Sequence, residues 1–141
     1  MALTQKQRQI KEIIKCGKDP IYFFNKYVQI QEPSRGSIPF KTFPFQDDCV
    51  DAFRKNRFNI VLKSRRLGLS TISAAYAAWL AIFHKDKNIL VIATKLAVAQ
   101  NFIRKVKFAI QSMPNWLILP EIIGNNKQQL EFSNGSIIKA I

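Results

Sequence analysis

Residues 58–71 constrain the fold more than any other part of the chain. Phe58 to Leu62 (FNIVL) is a short, continuous apolar run, the pattern of a strand buried on both faces in a parallel sheet. It leads directly into Lys63-Ser64-Arg65-Arg66-Leu67-Gly68-Leu69-Ser70-Thr71, a basic turn with one glycine, and then into a helix expected over Ser70 to His84. Asn88 to Thr94 (NILVIAT) reads as a second buried strand, followed by a helix from about Ala97 to Ser112. Strand, loop, helix, strand, helix makes a βαβα unit, because parallel strands need a crossover that covers the sheet. The crossover is expected to be right-handed. An α/β fold follows.

The flanks are less regular. A first helix is expected from Thr4 to Cys16, capped by Thr4, with Ile10, Ile13 and Ile14 on one face and Gly17 placed to end it. Asp19-Pro20 supplies a cap and a first-turn proline for a second helix to about Val28, with Phe23, Phe24 and Tyr27 as its apolar stripe. From Gln31 to Pro44, three prolines and a glycine suggest a loop with at most a short strand. Gln46 to Asn56 is a helix with Cys49, Val50 and Phe53 on one side, and Gln128–Phe132 and Ser136–Ala140 flank Ser133-Asn134-Gly135 as a tight hairpin. The expected division is residues 1–44, helices and lead-in loop, and 45–141, an α/β unit.

Composition narrows the function. Of 141 residues, 48% are hydrophobic, which excludes a disordered polar chain. Lys+Arg number 22 against 9 Asp+Glu, a net charge of +13, and a folded chain so basic usually meets a polyanion. Residues 1–66 carry 14 of those cations and 6 of the acids, so the excess is spread along the chain rather than gathered in one recognition helix. Cys16, Cys49 and the single His84 cannot assemble a zinc site, and no disulfide framework is possible beyond one bridge, which fits a reducing compartment. The start, MALTQKQRQIKEIIK, has no apolar core of a secretory signal, and Ile72 to Phe83 is too short to span a bilayer. A cytoplasmic protein is expected.

The turn at 63–71 carries the chemistry. The usual phosphate-binding loop, G-x-x-x-x-G-K-[ST], occupies this same strand-to-helix junction. With Gly68 on its second glycine, Ser70 takes the hydroxyl position, Lys63 falls on the first glycine and Leu69 replaces the lysine. Gly68 allows backbone N–H groups to turn toward an anion, and the helix N-terminus adds its positive dipole. Ser70 or Thr71 offers a hydroxyl to Mg²⁺, and Lys63, Arg65 and Arg66 are three candidate cations for the phosphates. Lys63, Ser64, Arg65, Arg66, Gly68, Ser70 and Thr71 are thus the expected nucleotide contacts.

Together, DPIYFFNKYV, FPFQDDCVDAF, KSRRLGLST, NILVIATKLAVAQNF and LEFSNGSII resemble, in this order, the start of the ATPase domain of a tailed-phage terminase large subunit. That family packages viral DNA. The resemblance runs from about Asp19 to the last residue, and many members carry the loop lysine at its head, as Lys63 would. It implies a P-loop NTPase-like, three-layer α/β/α fold with a mostly parallel sheet, incomplete and preceded by N-terminal helices. It implies ATP and Mg²⁺, with Gln46 reading adenine, Arg65 sensing the γ-phosphate as a catalytic group, Ser70 holding the metal, and Thr94 and Lys95 coupling nucleotide to DNA. Double-stranded DNA, a portal protein, a small terminase subunit and a homo-oligomeric ring are the implied partners, and the host bacterial cytoplasm the implied location.

Hydrolysis needs a magnesium-binding acid at a strand end and a carboxylate to position water. After the loop the acids are Asp86, Glu121 and Glu131, and none ends an apolar strand. With its apolar IIKAI terminus, the chain is expected to be a fragment, the first half of an ATPase domain, that lacks turnover and the nuclease domain. Two other readings stand beside it. One is a non-enzymatic basic nucleic-acid-binding module, and the other a fragment of a helicase-type ATPase.

Overall fold

A computed structural model describes residues 2–32, 34–64, 68–118 and 120–141. Helix α1, Gln5–Lys18, starts where its capping chemistry dictates: the Thr4 hydroxyl accepts from the Gln7 N–H (3.2 Å) and the Gln7 side chain accepts from the Thr4 N–H (3.0 Å). It runs through Gly17, not up to it. Asp19 ends it instead, because a residue before proline is driven out of the helical region, and Asp19 has φ −131° and ψ 97°. The same Asp19 carboxylate accepts from the Tyr22 N–H (3.2 Å) and so caps α2, Pro20–Tyr27. Phe23 and Phe24 of α2 are buried, and the Phe23 ring meets Phe83 edge-on at 5.2 Å.

The stretch expected as a loop holds a hairpin, β1 Gln29–Glu32 paired antiparallel with β2 Gly36–Pro39. Proline is tolerated there because Pro39 closes the strand, where a missing donor costs little. Helix α3, Pro44–Lys55, follows, two residues longer at its front than the sequence pattern suggests. Its first residue is Pro44, whose absent N–H would have had no helical partner.

Helix α4, Leu69–Phe83, is the centre of the molecule, with Ile72, Ala74, Ala75, Ala77, Ala78, Trp79, Ala81 and Ile82 all buried. Its alanines let α5, Leu96–Gln111, approach closely, and α5 answers with Ala99, Ile103, Val106, Ala109 and Ile110. The Trp79 indole N–H donates to the Cys16 carbonyl (2.8 Å), so the one polar atom of a buried ring is satisfied and α1 is fixed to α4.

Strands β3 (Asn88–Val91), β4 (Ile122–Asn125), β5 (Gln129–Phe132) and β6 (Ile137–Ala140) form one sheet in the order β3-β6-β5-β4. A short 3₁₀ turn, Asn115–Leu117, lies between α5 and β4. β3 and β6 are parallel, whereas β5–β6 and β4–β5 are antiparallel, so this sheet is mixed and not mostly parallel. Leu130, Phe132, Ile138 and Ala140 are buried on one face, while Leu90 and its neighbour Lys139 are exposed on the other. The tight turn at Ser133-Asn134-Gly135 is as expected, with Gly135 at φ +88°. Asn134 also ties the hairpin to the end of α4, donating to the Ala81 carbonyl (2.7 Å) and the His84 carbonyl (3.1 Å). The described residues form a mixed α/β architecture of five α-helices and two small sheets.

The expected first strand is absent. Residues 58–62 belong to no strand, with Phe58 in a bend and Ile60 99% and Leu62 100% exposed. A strand buried on both faces needs neighbours on both sides, and the described strands give it none. β3 is likewise an edge, hydrogen-bonded to β6 alone, and Leu90 and Ile92 beside it are exposed.

Candidate functional site

The best-defined polar junction lies where α3 and α4 begin side by side. Gln46, in the first turn of α3, is only 2% exposed. Its Oε1 accepts from the Phe43 N–H (2.9 Å) and its Nε2 donates to the Gly68 carbonyl (3.1 Å). Gly68, at φ +74° and ψ 20°, is the residue from which α4 springs. A Cβ built there would lie 2.6 Å from Gln46 Nε2, so glycine is required twice, by its left-handed backbone and by the amide pressed against it. The loop pattern singles out Gly68 and the family resemblance Gln46, and neither foresees that they bind each other.

Beside this junction opens a cleft of about 620 Å³, lined by Gln46, Gly68 and Thr71 and walled by the β1–β2 hairpin and by Phe40, Phe43 and Phe45. Phe43 and Phe45 stack nearly parallel, their ring centroids 5.6 Å apart and 9° from coplanar, and both are exposed. Arg35 and Lys41 are the cations on its rim, and no carboxylate lines it among the described residues. The amide of Gln46 has two donor hydrogens and two acceptor lone pairs, so its two backbone bonds leave one of each. Sequence reasoning missed Phe43, Phe45, Arg35 and Lys41. The Phe-Pro-Phe before Gln46 was the available signal, but it is indistinguishable from ordinary core residues until the structure shows the rings outside.

Ser70 and Lys63 sit on the other side of the α4 N-terminus. They share a smaller cavity of about 220 Å³ with Phe53, Val61, Leu69 and Ser73. Ser70 is exposed in the first turn of α4, and the Lys63 ammonium lies 3.5 Å from the Ser64 carbonyl. Ser64 is exposed and lines neither cavity. Arg65 and Arg66 lie outside the described residues. The expected contacts thus divide into two groups around one helix end: Gln46, Gly68 and Thr71 on one side, Lys63 and Ser70 on the other. Thr94 and Lys95 are exposed in the bend before α5, with Lys95 its N-cap residue, and they line neither cavity.

Asp47 follows Gln46 in the first turn of α3, whereas two of the acids after the loop are far from this end. Asp86 follows the C-terminus of α4 and its N–H donates to the Asn134 carbonyl (3.1 Å), while the Glu121 N–H donates to the Ser133 hydroxyl (2.8 Å). A helix of 15 residues is about 22 Å long, so both acids lie at the end of α4 opposite Gly68. Among the described residues no three His, Cys, Asp or Glu side chains cluster as a metal site, and no helix is long and apolar enough to cross a membrane. In comparison with known families, residues 60–141 match the model described as terminase large subunit, T4likevirus-type, N-terminal.

Proposed function

The chain belongs to the family of T4-like terminase large-subunit N-terminal regions, and from that membership we propose that it is the ATP-binding part of a phage DNA-packaging motor. The observation that carries this reading is the joining of buried Gln46 to Gly68 at the origin of α4, beside a cleft with two stacked phenylalanines. The cleft is within the range of small-molecule sites, roughly 300–1,000 Å³.

An adenine fits that chemistry. Gln46 would give its free N–H and lone pair to the base edge, and Phe43 or Phe45 would offer a ring face. Phosphates would lie at the α4 N-terminus, where the backbone N–H groups of a 15-residue helix and the turn at Gly68 favour negative charge. Lys63 would neutralise them from the head of the loop, with Arg65 and Arg66 as further cations and Arg65 as the γ-phosphate sensor. Mg²⁺ usually keeps waters and substrate phosphates around one or two protein ligands, and Ser70 is the ligand offered here. ATP, when bound, supplies the phosphoanhydride whose hydrolysis drives translocation. This chain's part is to bind and orient it, and Asp86 and Glu121 stand at the wrong end of α4 to polarise water.

The exposed apolar run at 58–62 and the open edge of β3 suit a P-loop NTPase-like sheet that further strands complete. Duplex DNA, the portal protein and the small terminase subunit are the partners this role requires, in the cytoplasm of an infected bacterium.

Calorimetric titration with ATP, GTP and inorganic triphosphate tests the reading. We expect weak ATP binding, weaker GTP binding, no turnover, and about tenfold loss of ATP affinity in Lys63→Ala and in Ser70→Ala. Equal binding of ATP and inorganic triphosphate would remove Gln46 from base recognition. ATP affinity unchanged by both substitutions would refute the phosphate site.

A further inference from the structure

A second groove lies between α5, α4 and β1, and it is cationic. Asn101, Arg104, Lys105 and Phe108 are three, four and seven residues apart along α5, so they form one stripe of that helix. This stripe faces Gln29 and Gln31 of β1 across a cavity of about 240 Å³. The floor is low because Ala75, Ala109 and Thr71 are small, and no carboxylate lines the cavity. Helix α5 contains no acid at all, and neither ion pair among the described residues involves it, since these join Lys26 to Glu12 and Arg35 to Glu32. The neighbouring Lys107 is engaged, donating to the Asn126 carbonyl (2.6 Å). Arg104 and Lys105 are exposed and uncommitted.

We propose that this groove is a phosphate-binding site for a nucleic-acid backbone. Arg104 and Lys105 supply the two charges, while the Asn101, Gln29 and Gln31 amides donate to phosphate or sugar oxygens. Such contacts position a strand without reading its sequence, which agrees with a net charge of +13 spread along the chain. The groove adjoins the cleft at Gln46, with Ile30 and Thr71 in both walls, but its charged stripe on α5 lies outside that cleft, and the proposal does not depend on ATP binding there.

The test is the salt dependence of DNA binding by the whole chain, followed by fluorescence anisotropy with labelled duplex and single strands. Each neutralised phosphate contributes about 0.9 to the slope of log affinity against log salt. Arg104→Gln with Lys105→Gln should therefore lower the slope by about 1.8. Between 50 and 200 mM salt, the unmodified chain should then lose about tenfold more affinity than the double variant. The charge-preserving pair Arg104→Lys with Lys105→Arg should retain most of the slope. Lys6→Gln with Lys11→Gln, on exposed positions of α1, removes the same net charge elsewhere and should change the slope less. Equal losses from the α1 pair and the α5 pair would overturn the site, leaving only diffuse charge. So would loss of ATP binding in the α5 pair with an unchanged DNA slope, which would make the groove a mononucleotide site, or an unchanged slope with lost binding of an acidic peptide. Both substitutions are on the surface, and far-UV circular dichroism confirms that each variant is folded.

Discussion

Gly68→Ala gives the sharpest test of how the site is built, because Gly36 provides its control. Both glycines have nearly the same left-handed backbone, φ +74° and +73°. A Cβ at Gly36 meets nothing within 4 Å, whereas one at Gly68 meets Gln46 Nε2 at 2.6 Å. Gly36→Ala therefore isolates the backbone penalty, about 1 kcal/mol for a non-glycine residue in this region. Gly68→Ala adds the displacement of a buried amide. The Gln46 side chain is flexible in principle, but at 2% exposure it has nowhere to go. Breaking its bond to the Gly68 carbonyl, which keeps its bond from the Ile72 N–H (3.0 Å), leaves the buried Nε2 donor unpaired, at about 1–3 kcal/mol. The expected total is about 2–4 kcal/mol, or a fall in Tm of roughly 4–16 °C for a chain of this size. Urea denaturation followed by circular dichroism measures each variant. In a Gln46→Ala background, Gly68→Ala should cost no more than Gly36→Ala, so the double-mutant cycle should show coupling of at least about 1 kcal/mol. Equal costs for the two glycines, or strict additivity in the cycle, would refute the claim that Gln46 and Gly68 hold this helix end together.

Acidification should weaken the fold in two windows. His84 Nε2 is buried without a partner among the described residues, and burial, with Lys87 and Arg54 nearby, pushes its pKa below the ordinary 6.5. The unfolded chain takes the proton first, so stability should fall as pH drops below 6.5, and His84→Gln should flatten that part of a urea-midpoint titration. Glu12 accepts from the hydroxyls of Tyr27 (2.6 Å) and Tyr22 (2.8 Å) and from the Lys26 ammonium (3.2 Å), which bring its carboxyl down from 4.5 to about 2. Its contribution is complete above 4.5 and lost as pH falls toward 2, so Glu12→Gln should remove the slope in that lower window only. Asn134→Ala deletes two bonds to the end of α4 and one from the Ser136 N–H (3.0 Å), and should cost about 2–3 kcal/mol by thermal unfolding. Leu90→Lys with Ile92→Lys places charge beside the open edge of β3 and should reduce self-association in light scattering without lowering Tm.

The helices were legible because each is specified by local chemistry. Thr4 and Asp19-Pro20 act within a residue or two of where they stand, and the starts they imply match α1 and α2, while α3 and α4 begin two residues and one residue ahead of the expected Gln46 and Ser70. Gly17 misled because a glycine only permits a helix to stop, whereas Asp19 before Pro20 compels it. The hairpin β1–β2 was hidden because proline reads as a breaker, whereas Pro39 is compatible with the end of a strand. β4 was missed entirely, since its antiparallel partner β5 and not its own IIGN pattern makes it a strand. Gly68, Ser70, Thr71 and Lys63 were named from the loop pattern, and Gln46 only from the resemblance to the terminase family. Their division between two cavities was not, because which side of a helix a loop residue occupies depends on the packing of segments far away in the chain.

Residues 58–62 show how the sequence and the structure support one another even where they differ. FNIVL is written for the interior of a sheet, yet Phe58, Ile60 and Leu62 stand 81%, 99% and 100% exposed. Fully burying one such side chain is worth about 1.5–3 kcal/mol, so the segment favours any arrangement that gives it strand neighbours. Lys63 follows immediately, and its position relative to Ser70 is set by the path of 58–62. A phosphate site whose cation stands at the head of the loop is therefore coupled to the docking of the strand before it. ATP affinity and protection of the 58–62 amides from hydrogen exchange should then rise together when nucleotide is added, and protection without ATP binding, or binding without protection, would separate the two.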